Sequence, residues 1–406
     1  MCPDSLTRVT ADDSVSVVTT TSELERVAQR AAGAAMLAVD VEGNGLFVYR
    51  AQLCTVQLGW LEQGGAMHIA IVDTLACDPG PLAPLLGAQG PVKVLHDFTF
   101  DAKLLQEVGV ALANVRDTSV LARLLGRKAT GLGSLLASEL GIVVPKDLQQ
   151  HDWSKRPLTE PQLAYLAADV RHLGALYDRL NGEAVEREIS EEVEEESQYK
   201  LETALAPQRD RGPSYLRIKG ADKLDPLGLA VLRRLVAQRE LLAADWDVPP
   251  FKVAGNDLLL ELSRARPTSR EALRTFRRGF SSRLAGSADR LLAAILQGLQ
   301  DETVPAEDRA EPARLDRTAA ALRRGREKRL TAFRRSEAAR RGVDEQVVLP
   351  GHCLQDALSL DQFTLQALAG VKGLGQKRLA LYGEAILGAM AEPALIAPTA
   401  VAEPPP

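Results

Sequence analysis

Short runs of hydrophobic residues punctuate the first hundred positions of the chain. Residues 15–18 form a short run rich in β-branched valine, and residues 36–42, 52–60 and 66–73 are apolar or alternating runs of strand length joined by glycine-containing turns. Three such runs in succession predict an antiparallel meander. Residues 22–32 follow the helical period, with Thr21 or Ser22 as the expected N-cap. A further short strand is expected at 92–96 and a helix at 98–108, after which helical periodicity dominates through Leu180. Strands first and helices later, with a β-α-β unit inside, predict an α/β domain with a mixed sheet covered by helices.

The rest of the chain reads as all-α. Residues 224–298 are helical by period, with breaks at Pro249-Pro250 and Pro267, and helical periodicity returns over 314–390. One pattern is used twice. Leu232, Leu235 and Arg239 share a helix before a Pro-containing break and the run 258–262; Leu322, Arg326 and Leu330 do so before Val347-Val348-Leu349-Pro350 and the run 354–358. The repeat is too long for a solenoid and fits duplicated domains. Polar, Pro-containing stretches at 207–213 and 301–312 suggest boundaries. The resulting division is 1–206, 213–300 and 313–391, with a Pro/Ala-rich tail at 392–406 expected to be disordered.

Charge changes this picture locally. Over 406 residues the net charge is −5, so overall charge gives no reason to expect a nucleic acid. Arg264, Arg266, Arg270, Arg274, Arg277, Arg278 and Arg283 form one basic stretch. A denser one spans 314–341, with Arg314, Arg317, Arg323, Arg324, Arg326, Lys328, Arg329, Arg334, Arg335, Arg340 and Arg341. Acids nearby in sequence are too few to pair with them, which predicts a phosphate-binding face. The turn at 370–375 (GVKGLG) either holds a phosphate on its N–H groups or simply joins two helices. Glu183, Glu186, Glu188, Glu191, Glu192, Glu194, Glu195 and Glu196 make an acidic stretch that reads as a solvated helix extension.

Several classes are excluded. Cys2, Cys54, Cys77 and Cys353 form no C-x-x-C pair, so a zinc knuckle or disulfide framework is not expected and a reducing compartment is. No apolar run approaches the roughly 18 residues of a membrane span, and the first residues lack the basic start and apolar run of a signal peptide. The expectation is a cytoplasmic protein with no membrane partner. Gly43-Asn44-Gly45 follows a strand, but Val48 stands where a dinucleotide fingerprint needs its third glycine, so no organic cofactor is expected.

Carboxylates carry the chemistry. Asp40 and Glu42, two apart in a strand, project to one face, while Val39 and Val41 project to the other. Tyr165 and Asp169, four apart in a helical segment, share a helix face. Asp101 falls in the first turn of the helix after residue 97, with Asp97 as the expected N-cap. Oxygen ligands without His or Cys suit Mg²⁺ or Mn²⁺, and four carboxylates can hold two ions about 4 Å apart.

The context of these residues is specific. The first motif reads VDVEGNGLFVYRAQLCTVQLGW (39–60), the second KVLHDFTFDAKLL (93–105), and the third KDLQQHDWSKRPLTEPQLAYLAADVRHLGALY (146–177). Over residues 15–205 the chain resembles ribonuclease D, in the tyrosine-bearing branch of the DEDD exonucleases. The segments RRLVAQRELLAADWDVPPFKV (233–253) and LAGVKGLGQKRLALYGEAIL (368–387) resemble tandem HRDC domains, small helical bundles.

The resemblance implies an RNase H-like fold and hydrolysis of RNA from its 3′ end to nucleoside 5′-monophosphates, with tRNA precursors as the family's substrates. It also implies two divalent cations, Mg²⁺ or Mn²⁺. Asp40, Glu42 and Asp169 would hold the catalytic ion, Asp40 would bridge to the second, Asp101 would support the second through water, and Tyr165 would orient or help deprotonate the attacking water. Val41 replaces the family's usual Thr. Tyr49, Arg50 and Gln57 either touch the terminal nucleotide or brace the sheet. His96 is a further substrate-side candidate, read more readily as a packed, hydrogen-bonded residue than as a base. Trp153 and Arg156 lock the loop before the third motif, and Arg156 is also placed to meet a phosphate. A DNA-directed exonuclease stays open, because only a contact to the 2′-hydroxyl separates the two substrates. A non-catalytic scaffold is opposed by retention of all four carboxylates and Tyr165.

Overall fold

The computed structural model describes residues 14–62, 64–144, 148, 150–207, 213–276, 279–305, 308 and 317–391. Arg277, Arg278, Arg314 and the 392–406 tail lie outside these residues. The chain forms two compact units, one from Met1–Asn114, Val144–Gly174 and Thr203–Arg314, the other from Val115–Val143, Ala175–Glu202 and Leu315–Pro406.

The first half runs β1 (Ser14–Val18), α1 (Thr21–Ala31), β2 (Met36–Gly43), β3 (Leu53–Leu61), β4 (Met67–Asp73), α2 (Leu82–Leu86), β5 (Val92–Leu95) and α3 (Thr99–Glu107). It continues through β6 (Val115–Asp117), α4 (Thr118–Leu124), α5 (Leu132–Leu135), α6 (Glu160–Arg171), α7 (Leu173–Glu186) and α8 (Ser190–Leu205). In the first unit the strands lie in the order β1-β4-β3-β2-β5. The expected meander is present: β2-β3 and β3-β4 are antiparallel, while β1-β4 and β2-β5 are parallel. Every residue of β3 but the last is buried, so this central strand is apolar on both faces and hides its pattern of alternation.

Two caps differ from expectation. Helix α1 is capped by Thr20: the Glu23 N–H donates to Thr20 Oγ1 at 3.3 Å and the Thr20 N–H to Glu23 Oε2 at 3.2 Å. Glu23 stands three residues after Thr20, and that reciprocal geometry fixes the start one residue before Thr21. Asp97 is not a cap. It adopts φ 58°, a left-handed conformation that Asp tolerates, and Phe98 precedes the first helical residue, Thr99. Strand β6 has three residues, too few for a sequence period.

Behind the sheet, the first unit carries a helical module of α9 (Pro226–Trp246), α10 (Pro250–Val253), α11 (Asn256–Ala265), α12 (Arg270–Leu273), α13 (Ser282–Gly286) and α14 (Ala288–Asp301). Leu232, Leu235, Leu242, Leu259, Leu262, Leu284 and Ile295 are fully buried in its core. The expected linker at 301–312 begins packed on this module: Asp301 pairs with Arg234 at 2.6 Å, and Val304 is buried.

The second unit contains a module of five helices where the first has six, α15 (Arg317–Arg341), α16 (Glu345–Val348), α17 (Gly351–Ala357), α18 (Leu365–Ala369) and α19 (Gln376–Met390), again with a long helix at each end and short ones between. Its core includes Leu330, Val348, Leu349, Cys353, Leu368, Ile386 and Met390.

The acidic stretch is solvated only in part: Glu186, Glu188, Glu191 and Glu194 are exposed, while the other four meet basic side chains. Within the second unit, Glu192 is fully buried, 2.9 Å from Lys377 and 3.5 Å from Arg341. Glu195 accepts from buried Arg378 at 3.0 Å, Glu196 from Arg123 at 2.9 Å, and Glu183 pairs with Arg127. Gly375 leaves room for this contact, since a Cβ there would fall 1.8 Å from the Glu195 carboxylate. The basic stretch on α15 is correspondingly occupied. Arg334 and Arg335 bind Glu345, Arg340 binds Glu337, and Arg323, Arg326 and Arg329 donate to main-chain carbonyls. Arg324 and Lys328 make no hydrogen bond or ion pair among the described residues. Glu337 and Glu345 lie close in sequence to their arginines, whereas the carbonyls that take Arg323, Arg326 and Arg329 belong to Leu358, Met390 and Ala389, far along the chain.

Candidate active site

Strand β2 presents Asp40 and Glu42 on one face while Val39 and Val41 are buried on the other. Helix α6 packs across β2, β3 and β4. It approaches closely at Gly59, where a Cβ would lie 3.3 Å from Val170, and so brings Asp169 to the end of β2. One carboxylate oxygen from each of Asp40, Glu42 and Asp169 lies within 4.8 Å of the other two. Asp101, on α3, is buried but outside this closest trio; its charge still acts on Glu42.

Burial and mutual repulsion dominate the electrostatics. Desolvation, then Asp40, Asp169 and Asp101, push Glu42 up to about 9. Burial raises Asp40, and burial followed by Asp40 raises Asp169. The Tyr165 phenol is also raised, first by burial and then by Asp169, Glu42 and Asp40. Carboxylates packed this closely persist only with protons or with cations between them. An all-oxygen cluster of this kind fits a hard divalent cation.

The neighbours hold this cluster in place. Gln57 faces Asp40 across the β2–β3 ladder and is fully buried. Its amide is oriented by its surroundings: the nitrogen donates to the Asp40 carbonyl at 2.8 Å and to Oδ2 at 3.3 Å, while the oxygen accepts from Thr55 Oγ1 at 2.7 Å. Gln57 therefore braces the sheet at Asp40. Tyr49 likewise turns elsewhere, with its N–H donating to Asp247 Oδ1 at 3.1 Å and its ring against the core of the first helical module. Arg156 spends all five guanidinium N–H groups internally. They go to both Asp73 carboxylate oxygens and to the carbonyls of Trp153, Lys155 and Cys54. It locks the loop to the sheet through these five bonds. Arg50 is exposed, and His96 is partly buried at the end of β5.

Three neighbours escaped the sequence reading. Phe100, beside Asp101, is 48% exposed, and its ring tip lies 3.5 Å from where a Gly43 Cβ would stand. Asn44 binds Gln52 through two hydrogen bonds, 2.8 and 3.3 Å, closing the loop after the first motif. Gln162 accepts from the Thr159 N–H at 2.7 Å and donates to His151 Nε2 at 2.5 Å, tying the start of α6 to the preceding loop. Only Gln162, three residues after a Thr, carried a sequence signal, that of a capping box.

The fold is that of a 3′–5′ exonuclease, and residues 15–184 match that sequence family. Residues 228–295 and 323–390 each match the HRDC domain. Ribonuclease D of Gluconacetobacter diazotrophicus is 31% identical over 302 residues, covering 73% of this chain and 75% of that protein. Ribonuclease D of Granulibacter bethesdensis is 32% identical over 284 residues, 66% of this chain and 68% of that one. The chain belongs to the ribonuclease D family. Among solved structures, a Bifidobacterium adolescentis protein shares the fold with a TM-score of 0.73 at 22% identity, covering 92% of this chain and 96% of that one. Escherichia coli RNase D, described as an exoribonuclease involved in structured RNA processing, does so with 0.66 at 23%, covering 92% and 98%. No described helix is long and apolar enough to cross a membrane.

Proposed function

We propose that this protein is a 3′→5′ exoribonuclease that removes nucleoside 5′-monophosphates one at a time from RNA 3′ ends, with tRNA precursors as its substrate class. The observation that carries the reading is the convergence of Asp40, Glu42 and Asp169, from a strand and a helix far apart in sequence, on one partly buried point. The relatives named ribonuclease D supply RNA as the substrate.

Asp40, Glu42 and Asp169 would hold a divalent cation, Mg²⁺ or Mn²⁺, with Asp101 supporting a second. Bound there, such ions supply Lewis acidity and lower the pKa of water. The chain's own groups do the rest. Gln57 fixes the carboxylate of Asp40. Tyr165, raised by burial, keeps its proton and orients the attacking water through its O–H. Phe100 offers an exposed ring face on which the terminal base stacks, worth about 1–3 kcal/mol. Arg50 remains available to a phosphate, whereas Tyr49, Gln57 and Arg156 are structural.

The division 1–206, 213–300, 313–391 and tail remains our proposal for the domains, although compactness groups Val115–Val143 and Ala175–Glu202 with the C-terminal module. The buried free thiols of Cys54, Cys77 and Cys353 fit the cytoplasm. Labelled RNA and DNA oligonucleotides of equal sequence, offered with Mg²⁺, Mn²⁺ or EDTA, test the reading. Cation-dependent release of 5′-monophosphates from RNA supports it. Internal cleavage, turnover in EDTA, or a preference for DNA would overturn it.

A further inference from the structure

Aromatic side chains are scarce in this chain, and the fold buries or half-buries nearly all of them. Among the described residues only Phe100, 48% exposed, and Phe251, 57% exposed, present open rings. Phe100 stands beside Asp101 on α3, and Phe251 lies on α10 of the first helical module. A ring left in water contributes no burial to the fold, so both positions call for another explanation.

The loop at 44–52 joins the two places. At its start the tip of the Phe100 ring lies 3.5 and 4.0 Å from where Cβ atoms of Gly43 and Gly45 would stand. Asn44 and Gln52 tie its ends together. Further along it is fastened to the helical module, where the Tyr49 N–H donates to Asp247, the residue that ends α9. The ammonium of Lys252, the neighbour of Phe251, lies 4.4 Å from the centroid of the Phe47 ring. A ring face attracts a cation without cancelling its charge. Among the described residues no carboxylate pairs with Lys252, nor with exposed Arg50 on the loop itself.

An open ring beside an uncompensated cation is the combination that holds a single-stranded nucleic acid, because rings stack bases while cations follow the phosphates. Phe47 comes five residues after Glu42, so the two lie within about 18 Å of each other. That distance is within reach of a strand whose 3′ end rests on the carboxylates.

We propose that Phe251 and Lys252 form a second nucleotide subsite, which takes the RNA strand upstream of its 3′ end. The Phe251 ring stacks a base, the Lys252 ammonium meets a phosphate, and Phe47 is the positioning residue that holds the ammonium. This rests on the exonuclease reading, which puts the terminal nucleotide at the carboxylates and Phe100.

Titration of the full-length chain in EDTA with a fluorescent single-stranded oligoribonucleotide, at several salt concentrations, tests the subsite apart from turnover. Both side chains are exposed, so replacing them removes no core packing. Lys252→Gln is expected to flatten the slope of log affinity against log salt by about 0.7, one phosphate contact, and Lys252→Arg to keep it. Phe251→Ala is expected to weaken binding about 5-fold or more at an unchanged slope. In turnover with Mg²⁺, Lys252→Gln and Phe251→Ala are expected to raise KM for the oligonucleotide at constant kcat. A dinucleotide with the same 3′ end, too short to reach the subsite, is expected to keep its KM. Phe47→Leu is expected to raise KM in the wild-type background and to do nothing further in Lys252→Gln; an equal effect in both removes its assigned role. A wild-type slope in Lys252→Gln, wild-type affinity in Phe251→Ala, or an equal rise in KM for the dinucleotide overturns the subsite alone. Wild type that binds RNA yet releases no monophosphate overturns the exonuclease reading, and wild type that binds no RNA overturns both.

Discussion

Each carboxylate of the cluster is costly to fold and valuable once a cation arrives. Glu42 would ionise near 4.5 in the unfolded chain and does so at about 9 in the fold. Folding therefore takes up a proton between those values. In the cation-free protein the site costs nothing in acid, and its cost grows as pH rises through 4.5 and is complete above 9. Glu42→Gln should thus melt higher than cation-free wild type, by a margin that widens between roughly pH 5 and pH 8. Mg²⁺ should raise the melting temperature of wild type and leave the variant unmoved; a margin that does not change with pH would refute the electrostatic account. Asp40→Asn should lower kcat by about 10³-fold or more, equivalent to several kcal/mol of lost transition-state stabilisation. Tyr165→Phe should slow turnover about 10²-fold while preserving cation binding, which calorimetry and single-turnover rates will separate. Phe100→Ala should raise KM for oligonucleotides and leave Mn²⁺ affinity intact, with Phe100→Trp restoring KM.

At the level of strands and helices, much of this architecture was legible. The strands at 36–43, 53–61 and 67–73 fall where apolar runs predicted them, because each is bounded by turn residues. The spacing of Asp40 from Glu42 and of Tyr165 from Asp169 follows from strand and helix periods alone. What stayed hidden depends on register and on distant partners. That Gln57 would serve Asp40 depends on which residue of β3 lies opposite it. That Arg156 would be exhausted depends on Asp73 and Cys54 arriving from two other strands. The acidic helix α8 was misread because charge along one segment carries no information about arginines that follow it by more than a hundred residues. Glu192 provides the sharpest check. It is buried against Lys377 and Arg341, and breaking such a pair by removing one partner costs about 3–5 kcal/mol. Glu192→Ala should therefore be strongly destabilised in urea unfolding, whereas Glu194→Ala, whose side chain is 60% exposed, should behave like wild type.

For the molecule as a nucleic-acid-binding protein, the number of basic residues overstates the charge on offer. Each phosphate neutralised on a single strand contributes about −0.7 to the slope of log affinity against log salt. Replacing Arg324 and Lys328 together with Gln should flatten that slope by about 1.4. Replacing Arg334 and Arg335, which already face Glu345, should leave it unchanged. The opposite ranking would mean that RNA displaces the internal carboxylates. The docking of α8 has a practical corollary for anyone dissecting this chain. A fragment begun at residue 313 would lack Glu192 and Glu195, baring Arg378 and Lys377 to solvent, so an excised C-terminal bundle would acquire an adhesive cationic surface that the intact polypeptide conceals. Affinity for polyanions measured on that fragment would report the scissors rather than the enzyme.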